Sequence, residues 1–166
     1  MGDELVDIVD EHDRVVDVAP RSRIRAENLR HRSVAIAVVG SDGRLLVHRR
    51  SAGKDIWPGM WDICVGGVVA SGETYDVAAG RELAEELGLD DARPRLIGAG
   101  RYEDDDVRLI GRCYRVVHDG PFRFVDGEVA EIRHVTASEL DGLAGRAPFV
   151  PDSWAMVLPL LDEFGS

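Results

Sequence analysis

The stretch from Gly67 to Leu89, GVVASGETYDVAAGRELAEELGL, constrains this chain more than any other. At about 100° per residue, a helix here puts Glu82, Glu85 and Glu86 within one sector of roughly 100°. Leu83 and Leu87, at i and i+4, sit about a third of a turn away and can face a core. Three carboxylates on one face repel one another, so the helix is weakened unless a cation occupies the gap. Arg81, four residues before Glu85, compensates one of them. A hard divalent cation such as Mg²⁺, which takes oxygen ligands and keeps several waters, suits the rest. The flanks fit a strand, a turn and then a helix. IleCysValGlyGlyValVal (63–69) reads as a strand in which Gly66 and Gly67 mark a bend or a close approach of backbone. The helix spans roughly 73–87 and is closed by Gly88. Gly80 inside it costs about 1 kcal/mol relative to Ala, with tight packing as one reading of its presence.

The rest of the chain reads as a scaffold for that segment. At 166 residues it is long enough for one domain with a real core and too short to expect two. The net charge of −11 argues against a nucleic-acid partner, which would call for a basic stripe. It also means that a phosphorylated substrate needs local arginines or a bound metal to reverse the field. The acidic N-terminus lacks the basic start and apolar run of a signal peptide, and no apolar run is long enough to span a bilayer. These features lead to the expectation of a cytoplasmic protein without a membrane partner. Cys64 and Cys113 lie in apolar alternating segments and read as small reduced core residues.

In chain order, 5–10 and 14–18 suggest a hairpin ended by Pro20, and 22–30 a weak helix with Ser22 as candidate cap. ValAlaIleAlaValValGly (34–40) reads as a buried central strand, followed by a turn at 41–44 and a strand at 45–50. Residues 51–62 form a loop holding two of the three tryptophans. Strands follow at 94–102, 107–117 and 131–135, with the acidic loop 103–106 between the first two and a small helix from 136. A last helix spans 152–164, with Asp152 or Ser153 as cap and Pro159 kinking or dividing it. Strands interspersed with few helices predict an α/β fold with a mixed sheet covered on both faces.

Gly67, five residues, Glu73, seven residues, then Arg81-Glu82-Leu83-x-Glu85-Glu86-x-Gly88-Leu89 fills every fixed position of the Nudix box without a gap. The chain therefore resembles the Nudix hydrolase superfamily. That resemblance implies a Nudix-type α/β/α sandwich in one domain over 1–166, with a hairpin and short helix in 1–30 and a core in 31–166. It also implies cleavage of a diphosphate linkage in a nucleoside diphosphate derivative or another organic diphosphate, with Mg²⁺ or Mn²⁺ as cofactor. Carried over residue by residue, Glu82, Glu85 and Glu86 are metal ligands and Gly67 offers its backbone carbonyl. Glu85 is also a candidate base, Arg81 orients the carboxylates, and Glu73 braces the box through Arg81 with Gly88 at its end. Glu128, favoured over Glu131, is a candidate further catalytic acid from outside the box, weighed against a solvated loop charge. Arg49, Arg50, Lys54 and Trp57 are substrate-binding candidates; exposed strand-end charges and, for Trp57 and Trp61, core plugs are the alternatives. Asp104–Asp106 and the five histidines read as structural. A homodimer is left open.

Four outer segments (31–36, 42–50, 54–62 and 149–155) look like the isopentenyl-diphosphate-isomerase-like branch. Gly66 stands where an isomerase carries its cysteine and Val68 where it carries a metal-binding histidine, whereas the hydrolase box is complete. The expectation is a hydrolase on an isomerase-like framework, with a true isomerase or a non-catalytic nucleotide-binding domain as alternatives.

Overall fold

The computed structural model describes residues 3–164. Its centre is β3 (His31–Val39), the long apolar strand expected from the sequence. Alternate residues of β3 face opposite sides: Ala35, Ala37 and Val39 enter one core, Val34, Ile36 and Val38 the other. Both faces are therefore covered, which is why the run carries no polar alternation. β3 pairs antiparallel with β4 (Leu45–Arg50) and β6 (Val65–Val68), and parallel with β8 (Arg108–Val117) over its whole length. β7 (Arg95–Glu103) lies antiparallel on β8, and β9 (Val129–Val135) and the short β5 (Trp61–Asp62) on β4. The result is a nine-stranded mixed sheet. The N-terminal hairpin, β1 (Leu5–Val9) and β2 (Val15–Pro20), joins it through Ile8 opposite His31.

One face is covered by α2 (Tyr75–Leu87), whose Ala78, Ala79, Leu83 and Leu87 are fully buried. Thr74 caps its start by accepting the Val77 N–H, and Gly88, at φ 70°, ends it in the left-handed conformation. A Cβ at Gly80 would meet nothing within 4 Å, so tight packing does not account for that glycine. The other face is covered by α3 (Ala137–Ala144), which starts in a capping box between Thr136 and Glu139, and by α4 (Pro151–Met156). Cys64 and Cys113 are buried in that core as free thiols.

Two expected helices differ from the structure. α1 (Arg21–Ala26) starts after Pro20, not Ser22, whose backbone and hydroxyl bond to Asp3 instead. The last helix stops at Met156 and continues only as a 3₁₀ turn (Leu158–Leu160). Pro159 lacks the N–H that would have bonded to Ala155, and its ring crowds that carbonyl. Among the described residues no helix is long and apolar enough to cross a membrane.

Candidate active site

Two of the three carboxylates on the acidic face of α2 are shielded from solvent. Glu82 and Glu86 lie under the two glycines of β6 and are 8% and 2% exposed. The Gly66 N–H donates to Glu86 Oε2 at 2.9 Å, and a Cβ on Gly67 would come within 2.6 Å of Glu82 Oε1. Gly66 is equally constrained on its other side, where a Cβ would sit 2.0 Å from the Val34 carbonyl oxygen. The glycines thus let a strand backbone pass between the central strand and two carboxylates.

Arg81 organises the edge of this face. Its guanidinium donates twice to Glu73 (2.8 and 2.9 Å), once each to Glu82 (2.8 Å) and Glu85 (3.2 Å), and once to the Val68 carbonyl. Those bonds hold its charge firmly in place and push its pKa further up. Glu73, which also accepts the Ala70 N–H, is held below the usual carboxylate range by the Arg81 bonds. Gly88 lies at the far end of the helix, packed against Arg123.

Burial drives the carboxyls of Glu82 and Glu86 the other way. Glu82 rises to about 7, through burial and the neighbouring Glu85, against the pull of Arg81 and Lys54. Glu86 is raised by burial and then by Glu82, with Lys54 and the Gly66 N–H opposing. Lys54, itself almost fully buried, lies 3.9 Å from Glu86 and is hydrogen-bonded to Glu128. The chain segment carrying Glu128 is docked to the end of α2 by Arg123 N–H to Leu87 O and Asp126 N–H to Glu85 O. Glu128 therefore joins the box, whereas Glu131 pairs with Arg49 at 3.1 Å across β4 and β9.

Hard oxygen donors on a buried, under-neutralised pair fit a divalent cation in an open site. Glu82 and Glu86 are the carboxylates that would hold it. Glu85 is half exposed and turned to Arg81, and the Gly67 carbonyl accepts the Ser33 hydroxyl at 3.1 Å in a strand paired with Val34 of β3. Among the described residues no three His, Cys, Asp or Glu side chains form a complete cage.

Beside the carboxylates, and sharing Gly66, Gly67 and Lys54 with them, is a partly open cavity of about 60 Å³. Trp57 lines it from the left-handed region, at φ 48°, while Trp61 is a core residue under Arg133. Arg50 lines it but Arg49 does not. Arg21, Arg25, Asp62 and Asp152 also line it, and none of them stands out in the sequence. Asp104 accepts the Asp106 and Val107 N–H groups as a loop brace.

The NUDIX domain family model matches residues 29–154. The chain is 43% identical to a Nudix hydrolase of Streptomyces coelicolor over 91% of its own length and 84% of the relative's. It is 39% identical to the Nudix hydrolase YfcD of Escherichia coli, covering 90% and 82%. Among solved structures, DR0079 of Deinococcus radiodurans superposes with a TM-score of 0.76 at 28% identity, covering 90% and 94%. A NUDIX domain of Shewanella oneidensis NrtR, complexed with ADP ribose, shares the fold at a TM-score of 0.61 and 14% identity, covering 75% of this chain and 81% of that one.

Proposed function

The chain belongs to the NUDIX family of hydrolases, and we propose that it cleaves a diphosphate linkage in a nucleoside diphosphate derivative or related organic diphosphate, with Mg²⁺ as cofactor. The observation that carries this reading is the buried pair Glu82 and Glu86 pressed against Gly66 and Gly67. A carboxylate pair costs several kcal/mol to bury without matching positive charge, and Lys54 neutralises only part of it. Mg²⁺ bound there would screen the diphosphate's negative oxygens and acidify a bound water. Mn²⁺ would serve the same donor set.

The chain's own residues then have distinct roles. Arg81, tied down by Glu73, hydrogen-bonds Glu82 and Glu85 and so fixes both in rotamer. Glu85 and Glu128 flank the buried pair and are the two carboxylates placed to accept a proton from attacking water. Lys54 bridges the box and the cavity, so its ammonium can follow a phosphate from one to the other. Arg49 is committed to Glu131 and orients β9 before it orients substrate.

Within the family we propose the isomerase-like framework, on the resemblance of residues 31–36, 42–50, 54–62 and 149–155 to that branch. With glycine at 66 and valine at 68, the isomerase's cysteine and metal-binding histidine are missing, so hydrolysis is favoured over double-bond migration. Calorimetric titration with Mg²⁺ tests the reading. Wild type should bind, and folded Glu82→Gln and Glu86→Gln should lose at least tenfold in affinity. Equal binding by both variants would refute the site.

A further inference from the structure

The diphosphate chemistry leaves the far side of the cavity unexplained. Two acids line it, the buried Asp62 from β5 and the half-buried Asp152 from α4. Neither holds a directly bonded cation. Asp62 accepts the Cys64 N–H at 3.1 Å, and its nearest guanidinium nitrogen, on Arg50, is 4.0 Å away. Arg50 spends its hydrogen bonds on the Ile56 carbonyl instead. Asp152 accepts the Ser153 N–H at 2.7 Å. The Ser153 hydroxyl donates to Asp152 at 3.4 Å, and its one proton cannot serve Asp62 at the same time. Buried carboxyl oxygens are thus left with acceptor capacity facing a cavity, an arrangement that is expensive unless something supplies donors.

The same cavity is reached by four cations, Arg21, Arg25, Arg50 and Lys54, in a chain of net charge −11. Arg21 and Arg25 converge on Asp55 at 3.0 and 3.3 Å, which holds the α1 side of the cavity against the loop of residues 51–60. The cavity lining thus joins Lys54 and the two glycines of the carboxylate site to Asp62 and Asp152, with Arg50 4.0 Å from Asp62 and apolar side chains such as Met156 and Ile56 completing the wall.

We propose that Asp62 and Asp152 are specificity-determining residues that accept N–H or O–H donors of the substrate's organic group, so that the enzyme selects a donor-bearing heterocycle or sugar over a hydrocarbon chain. This rests on the diphosphatase reading for the direction of the substrate: phosphates at the Gly66–Gly67 end, organic group toward α4. A prenyl chain in that space would seal two carboxyl groups against hydrocarbon, whereas a polar ring fills their missing bonds. Sites built to hydrogen-bond a substrate group discriminate strongly against analogues that lack it.

The experiment compares nucleoside diphosphates from which base or sugar donors are removed one at a time, with isopentenyl diphosphate as the hydrocarbon probe. For wild type and Asp62→Asn, kcat and KM are measured, together with equilibrium binding of the phosphate-free nucleosides. The proposal expects wild type to favour one donor-bearing substrate by at least tenfold. It expects Asp62→Asn to collapse that preference about tenfold or more, mainly through KM, with a parallel loss of nucleoside binding, since a hydrogen bond to a charged group contributes about 1.5–3 kcal/mol. Asp152→Asn gives a second readout should Asp62→Asn fail to fold. Preference and nucleoside binding unchanged in the folded variants, or isopentenyl diphosphate favoured by wild type, would overturn it. If nothing is hydrolysed but nucleoside binding depends on Asp62, the pocket stands and the diphosphatase reading falls. If diphosphates are cleaved without any dependence on Asp62 or Asp152, the reverse holds.

Discussion

Replacing Glu86 by Gln should make the metal-free protein more stable at about pH 8, although it removes a residue from the heart of the site. The reason is the electrostatic cost of the box. Lifting Glu82 from its ordinary 4.5 to about 7 corresponds to about 3 kcal/mol of fold destabilisation once both states are ionised. Glu86 is raised as well, by burial and by Glu82. A carboxyl whose folded pKa lies above its unfolded one holds more protons when folded. Its full stability is present below about 4.5 and is lost as pH climbs through about 7. Gln keeps the Gly66 N–H bond through its amide oxygen and removes one of the two charges. The gain, after losing the Lys54 contact, is about 2 kcal/mol, or roughly 4–8 °C in Tm for a chain of this size. Thermal melts in chelator from about pH 5 to pH 8 test this. Asp62, also raised to about 7 by burial and by Asp152, tilts both proteins the same way, so the wild-type-minus-variant difference is the quantity to read. That difference should widen with pH and reverse on adding Mg²⁺. A Glu86→Gln protein that melts lower than wild type in chelator at about pH 8 would refute the reasoning.

Gly67→Ala should leave the fold close to wild type, because the clashing atom is the movable Glu82 carboxylate, yet reduce turnover at least tenfold by displacing that carboxylate; kinetics beside a melting curve decides it. Gly80→Ala, with open space around the new methyl, should stabilise the protein by about 1 kcal/mol without changing kcat, as read by urea denaturation. Lys54→Met removes the cation that contacts Glu86 and Glu128, so the metal-free Tm should fall while the stabilisation gained from Mg²⁺ grows. A Tm unchanged in chelator would count against that role.

The box was legible in the sequence because its chemistry lies within one helix and one turn, where spacing alone determines which side chains share a face. β3 was legible for a similar reason: a run without polar alternation belongs to a strand covered on both sides. The cavity was not. Asp62 and Asp152 are ninety positions apart and meet only because the segment before α4 hydrogen-bonds to Trp61. Arg21 and Arg25 reach it from a six-residue helix whose start, set by Pro20, differs from the Ser22 cap that the sequence suggested. Arg49 and Arg50 show the limit most clearly. A shift of register between them, where β4 meets β9, leaves Arg49 with Glu131 and delivers Arg50 to the cavity. No sequence pattern marks that bulge, so the sequence offered both arginines without dividing their roles. Glu128 was recoverable as a loop acid, but its bond to Lys54 depends on how residues 120–128 dock on the end of α2.

Product release from a panel of nucleoside diphosphate derivatives and other organic diphosphates, with and without Mg²⁺, by wild type and by folded Glu82→Gln, tests the central claim most directly. The account predicts phosphate or nucleoside monophosphate from wild type only when Mg²⁺ or Mn²⁺ is present, and at least about a hundredfold slower release from Glu82→Gln. Undiminished cleavage by the folded variant, or no cleavage of any diphosphate by the metal-loaded wild type, would contradict it.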